Sequence, residues 1–273
     1  MPAGWPHKHL MTDLTLRVSI FLGVFAGFAL LELMAPRRRS DLSRRSRWPG
    51  AWVLLFAGGV LSRLIMPLGL AGLALWTHQQ GFGLLNQISL PAPLAFLLSL
   101  VVLDLAVWAQ HIAMHRFGFL WRLHRVHHTD PHIDVTTALR FHPVEILVSL
   151  GWKGLVVLAL GPSAAAAFWF EVALNAFAQF NHANVNLPLW ADRIIRMLIV
   201  TPDMHRVHHS VKTAEHNRNF GFCFSLWDRL FRLYKDQPDA GHDQMQIGQE
   251  GARQPMDQRP DRLLWQPIKG RLD

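Results

Sequence analysis

Five long apolar stretches restrict this 273-residue chain to one broad kind of fold. A helix needs about 20 mostly apolar residues to cross a bilayer, and it must satisfy its own backbone polar groups there. The chain is 51% hydrophobic and 17% charged, whereas a typical soluble domain has about 25% charged residues. We therefore predict an all-α, polytopic membrane protein. The stretches are Leu14–Met34, Ala51–Trp76, Leu94–Trp108, Val144–Leu160 and Ala164–Phe180.

The last two stretches are joined only by Gly161-Pro162-Ser163, which predicts a helical hairpin with a tight turn. Each arm is barely long enough to cross a bilayer, and Lys153 and Glu171 lie within the arms. The hairpin therefore either crosses or re-enters the membrane. We expect about four to five transmembrane or re-entrant helices in all.

Charged and small residues inside the first two stretches carry further predictions. Arg17 and Glu32 lie near the ends of the first stretch, where their polar ends can reach the membrane interface. The second stretch contains several glycines, which predict close helix packing or a break into two pieces. These are Gly58, Gly59, Gly69 and Gly72.

Basic residues are unevenly shared among the loops, and this predicts the orientation of the chain. Residues 36–48 contain six arginines against the single Asp41. By the positive-inside rule, this loop, residues 116–140 and the region after Asn181 lie in the cytoplasm. We predict a multi-pass protein of the bacterial inner membrane; a nucleic-acid-binding arm is the disfavoured interpretation of the arginine run.

Histidines form three clusters at helical spacing, all on the predicted cytoplasmic side. The first cluster has the spacing HxxxH, and the other two share the pattern HxxHH, so the rings of each cluster lie on one helix face. Imidazole binds iron, zinc, copper and nickel alike, and nine rings exceed the needs of one ion, which indicates two ions. A basic surface, a pH sensor or an adventitious metal site is the alternative. The nine are His111, His115, His124, His127, His128, the single His182, His205, His208 and His209.

The order HxxxH, HxxHH, single His, HxxHH in an apolar chain resembles the fatty acid hydroxylase/sterol desaturase superfamily of integral-membrane di-iron oxygenases. The resemblance covers roughly Leu94 to Tyr234. The resemblance implies a hydroxylase-like catalytic domain with a cytosolic helical, histidine-rich cap (94–235). Composition predicts the regions on either side: membrane spans with the arginine-rich loop (1–93), and a polar, surface-lying or loosely ordered tail (236–273). Matching motifs are Asp104, seven residues before His111, LWRLHRVHH (120–128), RFHPVE (140–145), FNH (180–182), TPDMH (201–205), NFG (219–221) and LWDRLF (226–231).

The resemblance implies that the nine histidines bind two iron ions, with zinc as the alternative metal. Eukaryotic sterol oxidases of the superfamily have a further histidine four residues after the one that matches His182. This chain has Asn186 there, a possible tenth ligand. Beyond the metal ligands no catalytic residue is expected, but ligand rings need hydrogen-bond partners to hold them in place. The candidates are Asp104, His142, Glu145 and Asp228.

The implied activity is O2-dependent hydroxylation or desaturation of a C–H bond in a fatty acyl, sterol-like or carotenoid lipid. Electrons are expected from an external donor such as a ferredoxin or a b-type cytochrome, because no convincing dinucleotide-binding motif is found. The alternative is a membrane zinc-binding protein, or a metal sensor or transporter, without oxygenase activity. A transporter would place its ligands at the bilayer midplane, whereas these lie just past the ends of the apolar stretches.

Overall fold

The computed structural model describes residues 7–269 and is helical throughout. No strand occurs within this range; the only extended pairings in it are three isolated bridges. The all-α prediction is therefore confirmed. In chain order the α-helices are α1 (His7–Met34), α2 (Arg44–Ile65), α3 (Gly69–Gln79), α4 (Leu84–Gln87), α5 (Ala92–Arg116), α6 (Gly118–His128), α7 (Pro143–Leu160), α8 (Ala164–His182), α9 (Leu189–Ile195), α10 (Pro202–His208), α11 (Thr213–His216), α12 (Leu226–Leu230), α13 (Gly241–Gln244) and α14 (Pro260–Trp265). Two 3-10 helices cover Val135–Leu139 and Pro255–Gln258.

Four helical stretches in the described residues are long and apolar enough to cross a membrane. Many large apolar side chains on α1, such as Leu22, Leu30 and Leu33, are exposed on the protein, as lipid-facing residues are. The fifth predicted stretch forms α8, which packs against α1, α3, α5 and α10. The four stretches are Leu14–Met34, Arg44–Gln87, Ala92–Arg116 and Pro143–Leu160.

Glycines set both predicted breaks. The second apolar stretch divides into α2 and α3, and Gly69 at the start of α3 has a φ of +62° that favours glycine. Gly161 ends α7 in the left-handed conformation, and the Ser163 side chain accepts a hydrogen bond from the Ala166 amide at the start of α8. The predicted hairpin turn is therefore confirmed.

The main apolar core lies where α3, α5, α7 and α8 meet. Small residues such as Ala74 and Ala167 let these helices approach, and Phe170 fills the space between them. This packing holds α5, α7 and α8 together next to the C-terminal ends of α5 and α8, which carry histidines. The buried members are Leu70, Ala74, Leu103, Val107, Leu150, Val157, Ala167 and Phe170.

The two charges of α1 do not extend to the membrane interface as predicted. The Arg17 guanidinium lies 2.9 Å from the Glu171 carboxylate of α8. Glu32 is 2% exposed and accepts hydrogen bonds from the Val135 and Asn184 backbone amides. Both predictions were wrong because partners from distant helices and loops satisfy these groups inside the protein.

One residue of the arginine run, Arg47, is buried and fixes the loop that follows α6. It donates to the Asp130 carboxylate at 2.9 Å and to the His132 carbonyl at 2.6 Å, and it also pairs with Asp134. Asp134 in turn caps the 3-10 helix Val135–Leu139. The start of α2 is thereby joined to the segment directly behind the second histidine cluster.

The polar C-terminal segment is packed against the rest of the protein through its described part. Leu263 of α14 is fully buried against Leu54 and Val126. Arg125 donates to the Gln266 carbonyl at 2.7 Å. Of the two predicted alternatives, a surface-lying or a loosely ordered tail, the packing up to residue 269 favours the first, because apolar residues spaced through the segment cover the back of α6.

Candidate metal centre

All nine predicted histidines converge in two adjoining groups at the ends of α5, α6, α8 and α10. Within each group, one ligand atom from every residue lies within 4.8 Å of those of the others. The groups meet where the rings of His128 and His209 stack, with centroids 4.4 Å apart. The first histidine group is His111, His115, His124, His128 and His208, and the second histidine group is His127, His182, His205 and His209.

The two HxxHH motifs divide between the groups by helical geometry. In α6, His124 and His128 join the first group and His127 joins the second. In α10 and its C-cap the division is reversed, because His205 and His209 belong to the second group and His208 to the first. Steps of three and four residues place rings about 60° to one side and about 40° to the other side of the starting residue. Each motif therefore supplies both groups.

Local signals place these motifs on short helices. Thr201 caps α10 by accepting a hydrogen bond from the Met204 amide, and Pro202 occupies the first turn. His182 is the last residue of α8. His115 lies in the last turn of α5, and the chain turns at Phe117 into α6. Helix ends thus bring all three predicted clusters to one side of the bundle.

The outward-facing nitrogens of four rings have fixed partners. His111, His182 and His208 donate from Nδ1 to the carbonyls of Phe220, Ala178 and Arg218 at 2.8, 2.6 and 2.8 Å. The Nδ1 of His124 donates to the Glu145 carboxylate at 2.6 Å. Anchoring at Nδ1 leaves the Nε2 lone pair of each ring directed into the cluster, as a metal ligand requires. These partners are Phe220, Ala178, Arg218 and Glu145.

Several inward-facing nitrogens have no hydrogen-bond partner among the described residues. Nε2 atoms that are buried and unpaired include those of His115, His128, His208 and His209. Leaving a buried polar atom unpaired costs about 1–3 kcal/mol, and a cation bound among several such nitrogens would remove this cost. Elsewhere Nε2 atoms face each other, as those of His127 and His182 do at 3.0 Å. The donor set fits bound cations.

The protonation state of the rings also suits metal binding. Burial, together with neighbouring imidazoles, lowers the pKa of five rings outside the membrane-spanning helices well below 6.5, so that they are neutral at physiological pH. Only the neutral ring has a free lone pair for a metal. These rings are His127, His128, His205, His208 and His209.

Asp104 and Asp228 do not hydrogen-bond to histidine rings as predicted, but hold the loop behind one of them. Asp104 accepts from the Trp227 indole at 2.8 Å and from backbone amides of residues 223 and 224. Asp228 accepts from the amide of Phe220 at 2.9 Å and from the Trp108 indole. Neither carboxylate contacts a histidine ring; together they fix the loop whose Phe220 carbonyl holds His111.

His142 and Asn186 lie outside both groups. The His142 ring caps α7 through the Val144 amide and bonds to the Leu264 carbonyl at 3.2 Å, so it contacts no ring of the cluster. The Asn186 side chain is exposed. Its backbone amide bonds to the Ala35 carbonyl. An exposed side chain lends no support to a ligand role, and Asn186 as a tenth ligand stays a prediction.

Aromatic side chains around the cluster were not predicted from the sequence. Phe141 stacks on His127 with centroids 4.3 Å apart and an angle of 11°. Trp121 stacks on His216 and also contacts His115. Phe141 lies within the RFHPVE motif, and Trp121 lies within LWRLHRVHH, so their motif positions were the only available signal.

A cavity of about 400 Å³ begins at the first histidine group and extends between α1, α2, α5, α7 and α8. His111, His124 and Glu145 line one end, and apolar side chains line its walls. The volume lies within the range of about 300–1,000 Å³ typical of small-molecule sites. Its apolar lining includes Leu54, Val107, Met114, Leu139, Leu150 and Phe222.

The sequence model of the family described as fatty acid hydroxylase matches residues 96–232, which is half of the chain and contains all nine histidines. The chain belongs to the fatty acid hydroxylase family. The match begins in α5 and ends after α12, so it contains every helix that supplies a ligand candidate.

Three relatives illustrate the range of the family. The ornithine lipid hydroxylase of Rhizobium tropici is 28% identical over 148 residues, which is 54% of this chain and 44% of the relative. The alkylglycerol monooxygenase of Danio rerio is 26% identical over 143 residues, 52% of this chain and 31% of the relative. The chain thus spans less than half the length of these two. Cholesterol 25-hydroxylase-like protein 1, member 2, of Danio rerio is 25% identical over 253 residues, 85% of this chain and 89% of the relative. No solved structure gives a significant match.

Proposed function

We propose that this protein hydroxylates or desaturates a C–H bond of a membrane lipid with O2, using two iron ions held by the two histidine groups. The observation that carries the proposal is that nine imidazoles, eight of them buried and that of His115 half-buried, converge beside a cavity between membrane helices. Relatives named as hydroxylases and monooxygenases of lipids support the same reaction class.

Iron bound in these groups would supply the O2 chemistry. The part of the chain itself is positional. His111 and His124 border the cavity, and so the first group faces the substrate. The carbonyl and carboxylate partners fix the rings, and the apolar walls exclude water and hold a hydrocarbon chain beside them. Residues 94–235 form the catalytic domain in this proposal.

The proposed orientation places the histidine groups at the cytoplasmic face of a bacterial inner membrane. Segments that contain several arginines follow both α1 and α5, as expected for cytoplasmic flanks. Four spans then cross the membrane, and α8 returns to the cluster from within the bundle.

The electrons are proposed to come from a separate ferredoxin or b-type cytochrome. Dinucleotide-binding folds need a parallel sheet, and residues 7–269 contain no strand. Four of the six arginines in residues 36–48 have partners within the protein, namely Arg37, Arg38, Arg44 and Arg47. Arg39 and Arg45 are exposed and are the members of that loop available to an acidic donor.

The test is metal analysis of the purified protein together with lipid profiling of a deletion strain against the wild type. We expect two irons per chain and the loss of a lipid that differs by one oxygen or two hydrogens. His127→Ala in the second group and His208→Ala in the first should each lower the iron content and abolish the product. The matched control is His78→Ala, whose exposed ring bonds only to Asn86 among the described residues.

Zinc that is bound without any change in lipids would instead indicate a zinc-binding or sensing protein. Full turnover in both histidine variants would refute the site. Metal transport is disfavoured because the groups lie at helix ends, on one side of the bundle.

A further inference from the structure

The end of the cavity away from the histidines is charged. Arg17 of α1, Arg63 of α2, Lys153 of α7 and Glu171 of α8 all line the same cavity as His111. Charged side chains inside a membrane are expensive, and where they occur they face a partner, a cavity or a substrate path. Four such residues from four helices at one end of one cavity form a site that the metal chemistry does not use.

The charged end is well separated from the histidine groups. Lys153 follows Glu145 by eight residues of α7, and Glu171 precedes His182 by eleven residues of α8. At 1.5 Å per residue these spacings correspond to roughly 12 and roughly 16 Å. A hydrocarbon chain can therefore lie between the two ends of the cavity.

The charged end has an excess of cations. Glu171 pairs with Arg17 at 2.9 Å. Among the described residues, no carboxylate lies within ion-pair distance of Lys153, and Arg63 donates only to the Pro67 carbonyl at 2.8 Å. Three cations at this end, Arg17, Arg63 and Lys153, therefore share the single carboxylate of Glu171, and such an excess of positive charge in a low-dielectric cavity favours an anionic ligand.

We propose that this end of the cavity binds the anionic head of an amphiphile, a carboxylate or a phosphate, with Lys153 as its main contact. The hydrocarbon chain then extends towards His111 and His124. This inference rests on the proposed function, because it treats the bound amphiphile as the substrate. Anchoring the head fixes which carbon reaches the histidine groups, and a neutral head leaves the cations unpaired.

The test is a displacement assay on the full-length, iron-loaded protein with four probes of equal chain length. Palmitate and hexadecyl phosphate carry an anionic head, whereas hexadecanol and methyl palmitate are neutral. We expect the wild type to bind at least one anion about tenfold more tightly than the neutral probes. The tighter of the two anions identifies the head group.

Substitutions at the charged end of the cavity test whether these residues cause the preference for anionic probes. Lys153→Met should reduce the preference to about twofold or less, Lys153→Arg should retain it, and Glu171→Gln should increase it. The matched control is Lys212→Met, whose ammonium is half exposed and lies near the exposed Asp239; it should behave as the wild type. Iron content and elution as a single species show that each variant is folded.

An equal affinity of the wild type for anionic and neutral probes, or an unchanged preference in folded Lys153→Met, would overturn the inference. The assay measures binding and not turnover, so its result is independent of the proposed reaction. Anion preference without any oxygenated product would refute the proposed function alone, whereas oxygenation without anion preference would refute the head-group site alone.

Discussion

The Glu145 carboxylate lies 2.6 Å from Nδ1 of His124, and the opposite nitrogen of the same ring lies 3.0 Å from Nε2 of His111. The first turn of α7 therefore orients a ring of α6 within the first histidine group. Glu145 is 4% exposed, and so water does not compete for this hydrogen bond. A carboxylate behind an imidazole fixes its tautomer and makes it a stronger ligand.

Replacing Glu145 should weaken iron binding without removing a ligand. Loss of such an outer partner costs roughly 10–100-fold in metal affinity or activity. We expect Glu145→Ala to fall in this range and Glu145→Gln, which retains an acceptor oxygen, to lose less. Iron titration and product formation measure the two effects. Asp261→Asn, at an exposed ion pair with Arg259, is the control; equal iron affinity in Glu145→Ala and the control would show that the contact is dispensable.

Histidine spacing predicted the composition of the site because helical geometry is local. HxxxH and HxxHH fix which rings share a face once the segments are helical. How these helix faces meet depends on the packing between α5, α6, α8 and α10. The spacing of histidines within one segment gives no information about that packing. The division of each HxxHH motif between two groups was therefore not predicted.

The carboxylates show where sequence spacing is insufficient. Asp104 precedes His111 by two helical turns on one face, and this spacing makes it one of the candidates to hold a ring. In the structure it holds the loop around Trp227, and Glu145, from a different helix, contacts His124. The Phe220 carbonyl, which holds His111, is a backbone group, and so no residue type in the sequence identifies it as a partner. Partners of this kind depend on tertiary structure alone.

Asn186 provides a direct test of the second histidine group. Because its side chain is exposed, we expect Asn186→Ala to leave iron content and turnover at the wild-type level. His182→Ala, four residues earlier, removes a ligand candidate of the second group and should lower both. Iron analysis of the two variants side by side distinguishes the outcomes. A loss of iron in Asn186→Ala would mean that the chain after α8 folds back onto the metal.

Arg47 should contribute far more to stability than its neighbours in the arginine run. Removing one partner of a buried ion pair leaves an uncompensated charge, at a cost of about 3–5 kcal/mol. Arg47→Met would remove the guanidinium that contacts both Asp130 and Asp134, and Asp130 would keep only the more distant Arg140, at 3.8 Å, as an ion-pair partner. We expect a reduced free energy of unfolding, measured by denaturant titration in detergent. Arg39→Met, at an exposed position, should change it by about 0.5 kcal/mol or less. Similar losses in both variants would show that the buried network adds nothing.

The arginine run illustrates the same limit for the fold. Its charge correctly marked the end of a membrane stretch, since this depends on composition alone. The burial of Arg47 depends on Asp130 and Asp134, more than 80 residues away in the sequence. Likewise, Glu32 is satisfied by amides of Val135 and Asn184. A contact between single charged residues that are far apart in the sequence produces no periodic pattern, and so it cannot be predicted from the sequence.

His132, directly behind the second cluster, should make folding sensitive to acid. Burial, with Arg47 nearby, lowers the pKa of His132 from 6.5 to about 4. Between pH 4 and pH 6.5 the ring binds a proton in the unfolded chain and remains neutral in the folded protein. There its Nε2 accepts a hydrogen bond from the side-chain amide of Asn184 at 3.3 Å. Its contribution to stability is therefore fully present above about pH 6.5 and is lost as the pH falls towards 4. The shift corresponds to about 3 kcal/mol.

His132→Gln should remove this part of the pH dependence. We expect the difference in unfolding free energy between wild type and variant to shrink steadily as the pH is lowered from 6.5 to 4, because only the wild type loses the neutral ring. Denaturant titrations of the metal-free protein at several pH values measure the difference. His78→Gln, at an exposed ring, should follow the wild-type curve throughout. Parallel curves for wild type and His132→Gln would mean that the His132 ring gains its proton as easily in the folded protein as in the unfolded chain. Burial and the nearby Arg47 would then not lower the pKa of this ring.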